Sequence, residues 1–119
     1  MFDIKGEVNL KPKVLITTHK NPDFDAFAAS IAASLLYQDS VIIIDSEPQQ
    51  NLKEFLNIYD IPYKKAHEFD EEFEEQIKNK NFEKIVIVDT SDINRIPDSI
   101  RFLIEEGLPV DIYDHHPEL

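Results

Sequence analysis

Four short runs, Val14-Leu15-Ile16, Val41-Ile42-Ile43-Ile44, Ile85-Val86-Ile87-Val88 and Val110-Asp111-Ile112-Tyr113, recur along the chain, with segments of helical spacing between them. Consecutive β-branched residues lose side-chain freedom in a helix and suit a pleated strand. A strand that is apolar in every residue has no face to give to water, so it must be covered on both sides. That is the condition of a parallel sheet sandwiched between helices. The runs therefore predict an α/β fold: a doubly wound parallel sheet with helices on both faces.

The segments between the runs fit that frame. Residues 23–37, rich in alanine and other helix formers, predict a helix that packs closely on the sheet, with Asn21 as its N-cap and Pro22 setting its start. Leu52, Phe55, Leu56 and Tyr59 make a one-sided stripe over 50–59, and Phe69, Phe73 and Ile77 make another on an acidic helix over 70–79. A brief strand is expected over 61–63. A last helix over 97–106 is closed by Gly107, and a last strand covers 109–113. Residues 1–13, with Gly6 and Pro12, read as a leader arm that pairs at a sheet edge or frays.

Composition narrows the chemistry. A length of 119 residues is one domain's worth, and 42% apolar residues exclude a disordered chain despite 30% charged ones. The absence of cysteine removes disulfides, zinc-thiolate sites and thiol nucleophiles together, so a metal here would be held by nitrogen and oxygen. A net charge of -12 argues against a nucleic-acid clamp, which needs clustered Lys and Arg. Glu68, Asp70, Glu71, Glu72, Glu74 and Glu75 concentrate part of that excess in one solvated face. With no signal-like run and no stretch near the roughly 18 apolar residues that span a bilayer, the sequence predicts a soluble, cytoplasmic protein without a membrane partner.

The residue types that bear chemistry fall at strand ends. His19, Asp89 and Asp114-His115-His116 each follow the end of an expected strand, His19 after Lys13-Val14-Leu15-Ile16-Thr17-Thr18, and Asp23 and Asp25 stand a few residues behind the first. In an open parallel sheet those ends share one edge, where ligands bind. An aspartate after one strand is an ordinary terminator. Four aspartates and three histidines at one edge are a different matter. Imidazole and carboxylate without sulfur suit Mn, Mg or Fe(II), and a carboxylate-bridged pair of such ions is a recurring device for hydrolysing phosphate esters. Asp45 reads mainly as a terminator, His67 as a surface histidine and Asp111 as an edge or solvent-facing residue. Arg95, in the loop after Asp89 with Asp92, is a surface residue or a phosphate contact.

The stretch His19-Lys20-Asn21-Pro22-Asp23-Phe24-Asp25-Ala26 resembles the first motif of the DHH phosphoesterase superfamily, which includes RecJ-type exonucleases, manganese pyrophosphatases, exopolyphosphatases and nanoRNases. Asp89 after Ile-Val-Ile-Val resembles the second motif, and Asp114-His115-His116 the motif that names the family. The wording around Val88-Asp89-Thr90-Ser91 and Tyr113-Asp114-His115-His116-Pro117 is most similar to DHH modules linked to tRNA nucleotidyltransferase or poly(A) polymerase domains.

The resemblance implies two metal ions, Mn2+ or Mg2+. His19 and Asp23 would bind the first, Asp25 and His115 the second, and Asp89 would bridge them. His116 would face the substrate phosphate and Asp114 would orient the histidines. Two residues apart on a regular helix, Asp23 and Asp25 would point about 200° apart. Both reach one site only with Asp23 in the turn and Asp25 in the first helical turn.

Family members continue past the position of Leu119 with a later aspartate and a substrate-contacting C-terminal domain. Residues 1–119 are therefore expected to be a partial DHH domain of a larger hydrolase, inactive alone. Its substrate would be a phosphate-containing small molecule, nucleotide or oligonucleotide. The alternative is a non-catalytic binding or assembly module that keeps the fold. A cut sheet would expose apolar surface, which predicts a homo-oligomer.

Overall fold

The computed structural model of the chain describes residues 12–114, apart from 46, 67, 70 and 80. Strands β1 (Val14–Thr17), β2 (Ser40–Ile44), β3 (Lys64–Lys65), β4 (Lys84–Val88) and β5 (Val110–Tyr113) form one sheet in the order β3-β2-β1-β4-β5. Every pairing in it is parallel, as strands apolar on both faces require.

Because side chains alternate across a strand, each central strand feeds two cores. Leu15, Ile43, Ile85 and Ile87 point to one face and pack with Phe73, Phe82, Ile100 and Leu103. Val14, Ile16, Ile42, Ile44, Val86 and Val88 point to the other and pack with Phe27, Ala33 and Leu52. Helices α1 (Phe24–Leu36) and α2 (Gln50–Ile58) thus cover one face, and α3 (Glu71–Lys78) and α4 (Asp98–Glu105) the other. The chain is the doubly wound α/β fold expected from its apolar runs.

The strand order decides where a site can form. From β1 the chain steps outward through β2 to β3, then returns to place β4 on the other side of β1 and β5 beyond it. The winding reverses between β1 and β4. Connections leave these two strands in opposite directions, which opens a crevice at their carboxyl ends.

Two local expectations are corrected, and one short element is added. The N-cap of α1 is Asp23, not Asn21: Asp23 is extended (φ -100°, ψ -174°) and its Oδ1 accepts from the Ala26 amide at 2.9 Å. Ala26 is the third helical residue counted from Asp23, within reach of a cap side chain there. The third strand is Lys64–Lys65 rather than 61–63, since pairing with Ile43 and Ile44, not local propensity, selects it. A 3-10 turn over Ile93–Arg95 precedes α4; Asp92 caps it by accepting from the Asn94 amide at 2.9 Å. Gly107, at φ 102°, ends α4 as expected, with its amide bonded to the Ile104 carbonyl and that of Leu108 to Leu103.

Candidate metal centre

The ends of β1, β2 and β4 are tied together before any functional side chain is reached. Thr17 and Thr18 are buried. The Thr17 hydroxyl donates to the Ile43 carbonyl of β2 and the Thr18 hydroxyl to the Val88 carbonyl of β4, each at 2.8 Å. Thr17, the last residue of β1, and Thr18, the residue after it, thus brace the end of the strand against its two different neighbours. The loops that follow start from fixed heights.

His19 comes next and is 8% exposed. Its Nδ1 lies 2.9 Å from the Lys20 carbonyl. A carbonyl oxygen only accepts, so Nδ1 carries the proton and donates. With Nδ1 so engaged, Nε2 is the ring atom left for a ligand, and it faces Asp89 Oδ2 at 3.5 Å. Asp23 completes the group: one ligand atom each from His19, Asp23 and Asp89 lies within 4.8 Å of the others.

Asp89 reaches this position through a left-handed backbone, φ 62°, directly after β4. An L-residue there is strained, and aspartate is among the side chains that tolerate it. Its amide donates to the Tyr113 carbonyl at 2.9 Å, which carries the β4–β5 ladder one residue past the strand. Asn21, at φ 54°, is the second such residue among those described.

This donor set fits a divalent cation. A carboxylate oxygen and an imidazole lone pair that face each other are two electron-rich atoms with nothing to share. A proton on Nε2 or a cation between them relieves the opposition. The third group, Asp23, adds a second carboxylate, so a single proton does not balance the charge and a doubly charged ion does. Nitrogen and oxygen donors without sulfur suit Mn2+, Mg2+ or Fe2+. The lock of Nδ1 onto a carbonyl is the usual way a ligating histidine is oriented.

The other expected site residues are placed less closely. Asp25 is exposed in the first turn of α1 and stands outside the three-residue group. Asp114 follows β5, is half-buried, and also lies outside that group. His115, His116 and His67 lie outside the described residues. Asp45 does more than end a strand: its Oδ2 accepts from the Asn21 amide at 3.3 Å, while Asn21 Nδ2 donates to the Glu47 carbonyl at 2.7 Å. The amide of Lys20 donates to the Arg95 carbonyl, so the loops after β1, β2 and β4 are joined to one another. Sequence reasoning missed this lacing. Its only trace was the Thr17-Thr18 pair between an apolar run and His19.

Also missed was a polar cluster on the α1 face of β5. Lys84 Nζ donates to Asp111 Oδ2 at 2.8 Å, and the Tyr37 hydroxyl donates to the same oxygen at 3.0 Å. The Tyr37 hydroxyl also lies 2.6 Å from the Tyr113 hydroxyl, and the two share a hydrogen bond. Hydrogen bonds from Lys84 and then Tyr37 hold the Asp111 carboxyl below its ordinary pKa, and the bond to Asp111 raises that of Lys84. The hydrogen bond to Tyr113, with some desolvation, pushes the Tyr37 phenol well up. Asp111 is thus a paired residue rather than a merely solvent-facing one. A groove of about 400 Å³ between Ile77, Phe82, Phe102 and Leu108 lies near the starts of β4 and β5, at the edge of the sheet away from His19.

The family model for the DHH family, N-terminal domain, matches residues 13–119. An A-adding tRNA nucleotidyltransferase of Geobacter sulfurreducens is 31% identical over 106 residues, covering 87% of this chain and 11% of the relative. The chain thus spans about 11% of the length of the curated relative it matches. No solved structure matches. No helix among the described residues is long and apolar enough to cross a membrane. The chain belongs to the DHH family.

Proposed function

We propose that this DHH-family chain is the N-terminal part of a larger, cytoplasmic, divalent-metal-dependent phosphoesterase that hydrolyses phosphodiester or phosphoanhydride bonds and is linked to a tRNA nucleotidyltransferase or poly(A) polymerase. The observation that carries the reading is the group of His19, Asp23 and Asp89 gathered within 4.8 Å at the point where the winding of the sheet reverses. Family membership supports it, and so does the relative whose printed name is a tRNA nucleotidyltransferase.

In this reading His19, Asp23 and Asp89 hold the first ion, and Asp25, Asp89 and His115 contribute to a second. Mn2+ or Mg2+ would supply charge that neutralises phosphate oxygens and lowers the pKa of water. The chain's own residues do the rest. Lys20 fixes the His19 ring through its carbonyl, so the Nε2 lone pair is committed to the site. The left-handed backbone of Asp89 aims its carboxylate at that lone pair. His116 is assigned to the substrate phosphate and Asp114 to orienting the adjoining histidines.

Manganese-dependent hydrolysis of a chromogenic phosphodiester by the full-length protein, lost in Asp89→Ala, tests the reading. Metal uptake without hydrolysis would favour the second reading, a non-catalytic binding or assembly module. The relative gives that reading its footing, because its printed name refers to nucleotide addition and this chain matches 11% of it. We extend the proposal to self-association, since Leu35 and Leu36 at the end of α1 are 63% and 74% exposed. Sedimentation of a monomer alone at high concentration would sink that part.

A further inference from the structure

The sequence holds two arginines, Arg95 and Arg101, and both lie in the segment that follows Asp89. They are not equivalent. Arg101 Nη2 lies 3.5 Å from Asp98 Oδ1, the same oxygen that Lys20 Nζ reaches at 2.9 Å. Arg95 is exposed and enters no side-chain hydrogen bond or ion pair among the described residues. In a chain with 24 acidic and 12 basic residues, an arginine without a carboxylate partner is conspicuous.

Its location adds the second observation. The Arg95 carbonyl accepts from the Lys20 amide, and the next carbonyl up the chain from that bond, that of Lys20, fixes His19. Arg95 is therefore anchored by its backbone to the loop that carries the metal-type ligands, with its guanidinium left uncommitted. Other cations are spent elsewhere: Lys13 and Lys84 stand at strand starts, on the opposite edge, paired with Glu83 and Asp111.

We infer that Arg95, with Lys20 beside it, forms a phosphate-binding rim next to His19 and Asp89, and that Arg95 is a substrate-binding residue for a phosphoryl group. A net charge of -12 repels any phosphate that approaches, so the site needs local positive charge besides whatever ion it holds. A guanidinium offers two parallel donors to two phosphate oxygens, which a lysine does not. Asp98 sets the availability of Lys20, because the Lys20 ammonium is shared between this carboxylate and an incoming anion. The inference deepens the phosphoesterase reading and rests on it for the identity of the anion.

The test measures inorganic phosphate binding to the 119-residue chain by phosphorus NMR titration at low ionic strength, with and without Mn2+, alongside calorimetric Mn2+ uptake. Arg95→Ala should weaken phosphate binding roughly tenfold, the scale of a charge-assisted hydrogen bond, and leave Mn2+ uptake unchanged. Arg95→Lys should fall between, and Arg101→Ala should stay near the parent. Phosphate binding that is equal in Arg95→Ala and the parent overturns the inference while leaving the metal reading intact. No phosphate binding by the parent in either condition also overturns it. Arg95-dependent phosphate binding without any Mn2+ uptake would uphold the rim and remove the metal centre instead.

Discussion

His19 Nε2 faces Asp89 Oδ2 across 3.5 Å, while His19 Nδ1 is held by the Lys20 carbonyl at 2.9 Å. The second contact dictates the meaning of the first, because a ring that donates from Nδ1 offers Nε2 as a ligand. We expect His19→Ala and Asp89→Asn each to weaken Mn2+ binding by about tenfold or more in calorimetry. Asp98→Asn, a change near the loop but outside the ligand group, should leave it close to the parent value. Parent-like affinity in both site variants would remove the centre from consideration.

Thr18 is completely buried, and its hydroxyl ties β1 to the Val88 carbonyl just before Asp89. Thr18→Val keeps the shape and deletes the bond. Stability should fall by about 1–3 kcal/mol in urea unfolding, since a buried carbonyl loses a partner. Mn2+ affinity should fall as well, because His19 and Asp89 lose their brace. An unfolding midpoint equal to the parent would show the brace to be idle.

Asn21 sits at φ 54°, where an L-side chain is strained and glycine is not. Asn21→Ala and Asn21→Gly both lose the bond from Nδ2 to the Glu47 carbonyl, so their difference isolates the backbone. The glycine variant should be the more stable by about 1 kcal/mol. The reverse order would place Asn21 outside the left-handed region in solution.

Lys84 and Asp111 give the stability a pH dependence at both extremes. Asp111 has a folded pKa below its unfolded one, so its contribution is present above about pH 4 and is lost as pH falls through the lower folded value. Lys84 has a folded pKa above its unfolded one. Its contribution is whole below the unfolded value and is lost as pH rises through the folded value. Both side chains are more than a third exposed, so each effect is small and sensitive to salt. In a thermal-melting profile, Asp111→Asn should lower the melting temperature between the two limbs and flatten both the acid and the alkaline limb. An unchanged profile would mean the pair contributes nothing to folding.

Much of the fold was written in local pattern. The runs at Val14, Val41 and Ile85 could be recognised because a strand buried on both faces leaves no polar positions, and such a strand implies a parallel sheet. The candidate ligands were visible for a related reason: Asp89 directly follows such a run, His19 follows another after Thr17 and Thr18, and Asp23 trails it. Lys64–Lys65 was invisible because two lysines have no strand propensity and pair only because β2 offers them an edge. The cap was misplaced because Asn21 and Asp23 are equally good capping residues, and only the path of the backbone separates them.

By itself, then, the sequence determined which residue types reach one edge of a parallel sheet, since periodicity and residue chemistry are properties of neighbours along the chain. Only the tertiary structure decided that β4 lies against β1, that His19 turns its free nitrogen to Asp89, and that Lys20 and Arg95 join two loops. Those are relations between residues some 70 positions apart, set by buried hydrogen bonds such as Thr18 to Val88, |i−j| of 70. Such bonds form only once the apolar faces have chosen their neighbours.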